Sequence, residues 1–341
     1  MKKVILAIAI ILTATAAGFS QNTDTIVKHR LDSVIIIGEF KTVFFYDEHE
    51  NEIRCVEYKC RKPIVNDCVV WQKLCKYEYA YDSNKNKITQ TKEDVSYFNI
   101  KQLFKDEYAY DTNGNRTMWY EYRWDSINNN WEIFRKLEME YVYDNNGKMI
   151  ENIYYHFNDM LNIWSKYKTE YTYDIYGNKK NCITSRYLEK NIWEKDNKIE
   201  YTYDIYGNLI REVRSDYIEN IWEEDYNTKY TYDSNRNQVE ATHCSRDENY
   251  KIEHIYDKNQ NLIRKIFYHL TNNTWEQAYK NEYVYDTSYP SENLIIPQYS
   301  YDCNYINNSN FMLIEERRYE WESNNWECNR IVKYYYSPQT K

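Results

Sequence analysis

Tyr171-Thr172-Tyr173-Asp174-Ile175-Tyr176-Gly177-Asn178 returns unchanged as Tyr201-Thr202-Tyr203-Asp204-Ile205-Tyr206-Gly207-Asn208. Working outward from this pair, Tyr-Asp dipeptides begin at Tyr46, Tyr81, Tyr110, Tyr143, Tyr173, Tyr203, Tyr232, Tyr256, Tyr285 and Tyr301. The spacing averages about 30 residues, a period that belongs to repeat architectures. An Asp followed three residues later by Gly suits a tight turn closed by a residue in the left-handed region, with the carboxylate accepting backbone N–H groups inside it. The turn positions are Asp111 and Gly114, Asp144 and Gly147, Asp174 and Gly177, and Asp204 and Gly207. Glu50, Lys85, Arg236 and Gln260 stand where other units have Gly. Each should carry about 1 kcal/mol of strain if the turn is kept.

Before the turn, Trp193, Lys195, Asn197, Ile199, Tyr201 and Tyr203 alternate with Glu194, Asp196, Lys198, Glu200 and Thr202. This period predicts a half-buried antiparallel strand. After the turn, Leu209, Val213, Ser215 and Tyr217 share one phase, and an Asn-rich connection such as Asn272-Asn273 leads to the next Trp. Trp71, Trp193, Trp222, Trp275 and Trp326 each stand ten residues before the second Tyr of their unit, whereas Trp164 stands nine before. Even spacing would put Trp and Tyr on one face, so these tryptophans are expected to form an aromatic core, and Trp164 implies a bulge.

The expected fold is all-β: antiparallel β-hairpin repeats of about 30 residues forming a long curled meander sheet of roughly 18 to 20 strands. An outer-membrane barrel is the rival. It is set aside because Glu194, Asp196, Lys198 and Glu200 cannot face lipid.

Lys2 and Lys3 precede the apolar run Val4 to Leu12, and small residues follow. That is the layout of a secretory signal peptide over residues 1–20, with no transmembrane segment expected in the mature chain. The protein is expected to be exported, to the periplasm, the cell surface or beyond. Residues 21–45 read as N-terminal cap strands, 46–286 as the hairpin repeats, and 287–341 as a connection and a C-terminal capping hairpin. The two caps would cover the open edges of the sheet.

The Tyr-x-Tyr-Asp-x-x-Gly-Asn consensus resembles the YD repeats of the bacterial Rhs and teneurin-like families, over roughly residues 40–336. The resemblance implies hairpins joined into a strip that curls into a shell. The added Asn-x-Trp element looks like the secreted tyrosine-rich repeat proteins of Bacteroidetes-type bacteria. Neither a type IX sorting domain nor a toxin after the repeats is expected.

Composition narrows the function. The 341 residues carry 44 basic and 53 acidic side chains, a net charge of -9, which argues against a nucleic-acid partner. With 40 Tyr and only 6 Gly and 4 Pro, the chain is neither collagen-like nor a linker. Eight cysteines in an exported chain suggest disulfides. Strand phase makes Cys60 and Cys75 the best pair, and nesting Cys55 with Cys75 around Cys60 with Cys68 is the alternative. No Cys-x-x-Cys pair exists, a single Asp per turn is too few oxygens for calcium, and no metal or cofactor is expected. His243 and Cys244 are neighbours on a strand and point to opposite faces, so they form no nucleophile–base pair. No catalytic residue is singled out. Trp119, Trp124 and Trp321 fall outside the repeated Trp slot and are candidates for exposed contacts. The function expected is a non-catalytic extracellular scaffold or adhesive interaction module, whose partner is an unidentified protein or glycan at the cell surface. The alternative is a carbohydrate-binding module using exposed aromatics.

Overall fold

The computed structural model describes residues 28–61, 70–94, 102–158, 163–188, 192–297 and 309–339. The stretch read as an export signal lies outside them. The chain opens with β1 (Lys28–Ile36), β2 (Phe40–Tyr46), β3 (Glu52–Arg61), β4 (Val70–Tyr81), β5 (Lys87–Asp94), β6 (Gln102–Tyr110) and β7 (Arg116–Asp125). It continues through β8 (Asn130–Tyr143), β9 (Met149–Asn158), β10 (Ile163–Tyr173), β11 (Lys179–Tyr187), β12 (Trp193–Tyr203), β13 (Leu209–Ile218) and β14 (Ile221–Tyr232). It ends with β15 (Gln238–Ser245), β16 (Asn249–Tyr256), β17 (Leu262–Thr271), β18 (Thr274–Pro290), the short β19 (Leu294–Ile295), β20 (Phe311–Glu322) and β21 (Asn325–Gln339).

Each long strand pairs antiparallel with the next, and β18 skips β19 to pair with β20. The ends then meet. β1 pairs along its length with β21, from Lys28 opposite Gln339 to Ile36 opposite Val332. The sheet is therefore a closed barrel of 20 strands, not a strip with capped edges. Closure removes both open edges outright.

The turns follow from their local chemistry. In the unit at Asp204 the carboxylate accepts the N–H groups of Tyr206 and Asn208, both at 2.8 Å, and the Asn208 side-chain amide, also at 2.8 Å. Asp47, Asp82, Asp111, Asp174, Asp233 and Asp257 repeat all three bonds, and Asp144, followed by Lys148, repeats the two backbone ones. The residue three after each Asp is left-handed: φ is +80° at Gly114, +77° at Gly147, +91° at Gly177 and +83° at Gly207. Glu50, Lys85, Arg236 and Gln260 take the same region at +67°, +64°, +67° and +64° despite their side chains. At the opposite rim, Glu219-Asn220, Asn272-Asn273 and Ser323-Asn324 make two-residue hairpin turns with both φ values positive.

The expectation that Trp and Tyr share a face is corrected by the register. Opposite β11, Ser185 pairs with Lys195 and Thr184 with Asn197, leaving Asp196 as an extra residue. That bulge reverses the phase, so Trp193 faces one side and Tyr201 and Tyr203 the other. The same shift leaves Leu74, Phe134, Asp225, Ala278 and Asn329 unpaired on the strands of Trp71, Trp131, Trp222, Trp275 and Trp326. Trp164, with its odd spacing, sits on a strand paired to β9 without a shift. All seven tryptophans thus lie opposite the tyrosines, and the odd-spaced unit is the one without a bulge.

Tyr79 on β4 and Leu262 on β17 pack against one buried cluster although six strands separate them around the ring. Only the concave side permits this, so the tyrosines line the inner wall and the tryptophans stand half-buried on the outer one. The buried cluster is Leu31, Val34, Ile36, Phe44, Cys55, Tyr283, Leu313, Val332 and Tyr334, at the seam where the barrel closes. There β19 folds in to pair parallel with β1, bringing Ile295 and Pro297 into the same region. Large apolar side chains buried here contribute about 1.5 to 3 kcal/mol each, which places the main hydrophobic stabilisation at the closure.

The proposed bridge between Cys60 and Cys75 does not form. Cys60 lies opposite Trp71 on the outer wall, while Cys75, past the Leu74 bulge, is buried on the inner wall, and both are free thiols. Cys55 is likewise a reduced thiol, not joined to Cys75, so the alternative nesting is absent too; Cys68 lies outside the described residues.

Candidate functional site: a cleft in the inner wall

Two rows of inner-wall positions repeat with the hairpins. Tyr81, Tyr110, Tyr173, Tyr232, Tyr256 and Tyr285, the tyrosines of six Tyr-Asp pairs, fill the row nearest the turns and are largely structural, each donating its hydroxyl to a backbone carbonyl of the preceding hairpin. The next row, five residues after each left-handed position, varies freely: Cys55, Gln90, Trp119, Asn152, Cys182, Glu212, Ala241 and Lys265. Chemistry can therefore change from hairpin to hairpin while the scaffold stays constant.

Between β13 and β17 this variable row opens into a cleft of about 350 Å³. Its polar lining includes Glu212, Thr228, Gln238, His243, His254 and Lys265, with the rings of Tyr226, Tyr230 and Tyr250 between them. The Tyr226 hydroxyl donates to Glu212 Oε1 at 2.6 Å, and burial together with this carboxylate raises the phenol far above its ordinary value. His243 Nδ1 lies 2.8 Å from Thr228 Oγ1, and its ring stacks on Tyr250 at 4.7 Å. His254 is held neutral: burial, then the charge of Lys265, pushes it down to about 4. Its Nδ1 is buried with no hydrogen-bond partner. Burial also lowers Lys265, with Glu316 opposing. Buried polar atoms are ordinarily satisfied, so an orphan imidazole nitrogen in a cleft is a site for an incoming hydrogen bond.

Among the polar side chains of this lining, the sequence reading picks out His243 alone. The signal that could have found them is the variable slot at a fixed place in each repeat. His243 points inward and Cys244 is exposed, as expected for strand neighbours. Of the tryptophans considered for exposed contacts, Trp119 is on the inner wall with its indole N–H on Asp106 at 2.9 Å. Trp124 and Trp321 pair edge-on with Trp131 and Trp326 at 5.3 and 4.9 Å.

The outer wall carries two repeated features. At mid-height, Lys76–Glu78, Lys105–Glu107, Lys198–Glu200 and Lys280–Glu282 form ion pairs along their own strands at 2.8 to 2.9 Å. Towards the Asn-rich rim, aromatic pairs such as Tyr187–Trp193 and Tyr217–Trp222 stand beside lysine ammonium groups, with Lys168 Nζ 5.4 Å from the Trp193 ring and Lys198 Nζ 5.3 Å from that of Trp222. Trp164 is the most open of them, 48 % exposed. Among the described residues, no group of three or more His, Cys, Asp or Glu is arranged to hold a metal ion, and no helix is long and apolar enough to cross a membrane.

No protein-family model matches the chain, and no curated protein matches it in sequence. Among solved structures, the Tc holotoxin pore of Photorhabdus luminescens aligns at 12 % identity with a TM-score of 0.32, over 86 % of this chain and 16 % of that one. The chain thus spans a small part of the toxin protein's length. A porin-like protein from Bacteroides uniformis aligns at 10 % identity with a TM-score of 0.34, covering 90 % of this chain and 98 % of that one. A second porin-like protein, from Bacteroides vulgatus, aligns at 12 % identity with a TM-score of 0.26, over 64 % and 93 % of the two chains.

Proposed function

We propose that this protein is an exported, non-catalytic binding barrel that takes a saccharide-class ligand in the inner-wall cleft. The carrying observation is the convergence of Glu212, Gln238, His243, His254 and Lys265 on one 350 Å³ cleft walled by tyrosines. A small polyhydroxylated molecule offers many donors and acceptors and no net charge, which suits a wall that mixes both signs and neutral imidazole. The volume fits the lower range of small-molecule sites. One carboxylate lines the cleft, whereas glycoside hydrolysis ordinarily uses two, and this supports binding without turnover. Export rests on the Lys2-Lys3 and Val4 to Leu12 pattern, and the YD-type ancestry on the turn consensus. Lysine–glutamate pairs around the outer wall support a barrel that is not embedded in lipid, since a Lys at the bilayer midplane costs about 2 to 4 kcal/mol.

Glycan-array screening followed by calorimetry tests the reading. A saccharide should bind, and His254→Phe should abolish binding while leaving the melting temperature near that of the parent. Absence of binding to any glycan, or unchanged binding by His254→Phe, overturns the ligand. Hydrolysis of a bound glycan overturns the non-catalytic role.

A second reading, a surface scaffold or adhesive module for another protein, is favoured by the repeated aromatic and lysine belt outside. Loss of cell-surface capture on replacing Trp164 and Trp222, with glycan binding intact, would support it.

A further inference from the structure

The turns on the Asp-bearing rim use three positions: the Asp, the left-handed residue three later, and the residue after that. The two positions between have no part in the turn's hydrogen bonds through their side chains and, apart from half-buried Asn259, are exposed. Accordingly they are Glu48-His49, Ser83-Asn84, Thr112-Asn113, Asn145-Asn146, Ser234-Asn235 and Lys258-Asn259 in six of the turns. The other two are Ile175-Tyr176 and Ile205-Tyr206. These sit on neighbouring hairpins, because β11 and β12 are paired. Ile175 is 91 % exposed, Tyr176 84 %, Ile205 90 % and Tyr206 62 %.

The fold does not require them. Asp174 N–H to Asn178 O is 2.9 Å and Gly177 N–H to Asp174 O is 3.1 Å, the same as the corresponding bonds at Asp111, whose turn carries Thr112-Asn113. Two adjacent tips with an aliphatic and an aromatic side chain in water are therefore unexplained by folding. Cations surround them. Lys148 Nζ lies over Gly177, the Arg236 guanidinium is 5.1 Å from the Tyr206 ring, and Lys180 and Arg211 are exposed just below the tips. The carboxylates of Asp174 and Asp204 are turned inward onto backbone and Asn donors.

We propose that the Ile175-Tyr176 and Ile205-Tyr206 tips dock the barrel, rim first, onto an anionic lipid surface. Two tips about two strand spacings apart form a convex wedge of roughly 600 Å², below the area one partner contributes to a stable protein interface. A bilayer surface needs no matching shape: isoleucine enters the acyl boundary, tyrosine rests among the headgroups, and the four cations meet anionic lipid. A chain of net charge -9 needs such a local basic collar to approach that surface at all.

The test is co-sedimentation with vesicles of phosphatidylcholine mixed with phosphatidylglycerol, against phosphatidylcholine alone. The variant is Ile175→Thr, Tyr176→Asn, Ile205→Thr and Tyr206→Asn together, which installs a dipeptide another turn of this chain already carries. The parent should pellet with the anionic vesicles and less with the neutral ones. The variant should bind about tenfold more weakly or worse, with an unchanged melting temperature. Failure of the parent to bind anionic vesicles, or equal binding by the variant, overturns the proposal. So does a lipid-free dimer of the parent that the variant cannot form, which would make a second copy the occupant. Glycan binding is read on the same variant, so loss of lipid binding alone leaves the inner-wall reading standing.

Discussion

The hydroxyl of Tyr81 donates to the backbone carbonyl of Glu52, 2.6 Å away, bolting one hairpin to the one before it. Glu52 is the residue that pairs with Tyr46 at the bulge beside the previous turn. The geometry recurs from Tyr110 to Lys87 at 2.8 Å, from Tyr173 to Met149 at 2.6 Å and from Tyr232 to Leu209 at 2.7 Å. Tyr143 departs from it, bonding Asp111 instead, while Tyr141 reaches the carbonyl of Arg116 at 2.7 Å. In most repeats the tyrosine thus makes a backbone contact that is independent of what the barrel binds.

Replacing that hydroxyl should cost a hydrogen bond and little packing. Tyr232→Phe is expected to lower stability by about 1 kcal/mol, read from the shift of the denaturation midpoint. A neutral or stabilising result would mean that the contact is incidental to the repeat.

Glu50, Lys85, Arg236 and Gln260, the residues that stand in the glycine place of the Asp turns, make a converse case. Lys85 and Gln260 sit at φ of +64°. Lys85→Gly and Gln260→Gly should each stabilise by about 1 kcal/mol through relief of backbone strain, less the extra freedom glycine has when unfolded. Gly207→Ala should do the reverse. Differential scanning calorimetry distinguishes the signs, and a fall in melting temperature for both glycine variants would refute the strain.

Bulges predict an unusual ranking on β14. Trp222 is half-buried outside, so Trp222→Ala should cost less than the 3 to 5 kcal/mol of a core tryptophan. Deleting Asp225, an ordinary acidic residue by sequence, should cost more, because it removes the extra residue that sets Trp222 and Tyr226 on opposite walls. Equal or inverted costs would refute this assignment of faces.

The turns were legible because their determinants are local: Asp174, Gly177 and Asn178 are neighbours whose bonds need nothing from elsewhere. The faces were not. A bulge depends on register against the adjacent strand, so the even spacing from Trp193 to Tyr203 concealed a phase reversal that Asp196 supplies. Closure was equally hidden, since Val34 opposite Tyr334 joins the two ends of the chain and β1 carries no repeat signature that would name its partner. The cleft residues escaped because Glu212 and Lys265 look like the many other charges of alternating strands until the inner wall gathers them.

Glu52 supplies a pH-dependent prediction. It is 4 % exposed, neither carboxylate oxygen has a hydrogen-bond partner, and burial, opposed by the charge of Lys87, pushes its value up to about 7. Lys87 in turn is brought down to about 8 by burial, against the pull of Asp106 and Glu52, and its Nζ is 2.9 Å from Gln90 Oε1. Between roughly pH 4.5 and 7 the unfolded chain releases the Glu52 proton while the folded barrel keeps it. The native state then binds more protons, so this residue's contribution makes stability fall as pH rises through that window and level off above it. Lys87 remains charged throughout and keeps Asp106 as its partner. Glu52→Gln should therefore match the parent near pH 4.5 and be more stable near pH 7 by an amount on the order of 2 kcal/mol. Urea titrations of both proteins at the two pH values decide it: a stability difference that does not grow between them would show that Glu52 is ionised in the folded barrel.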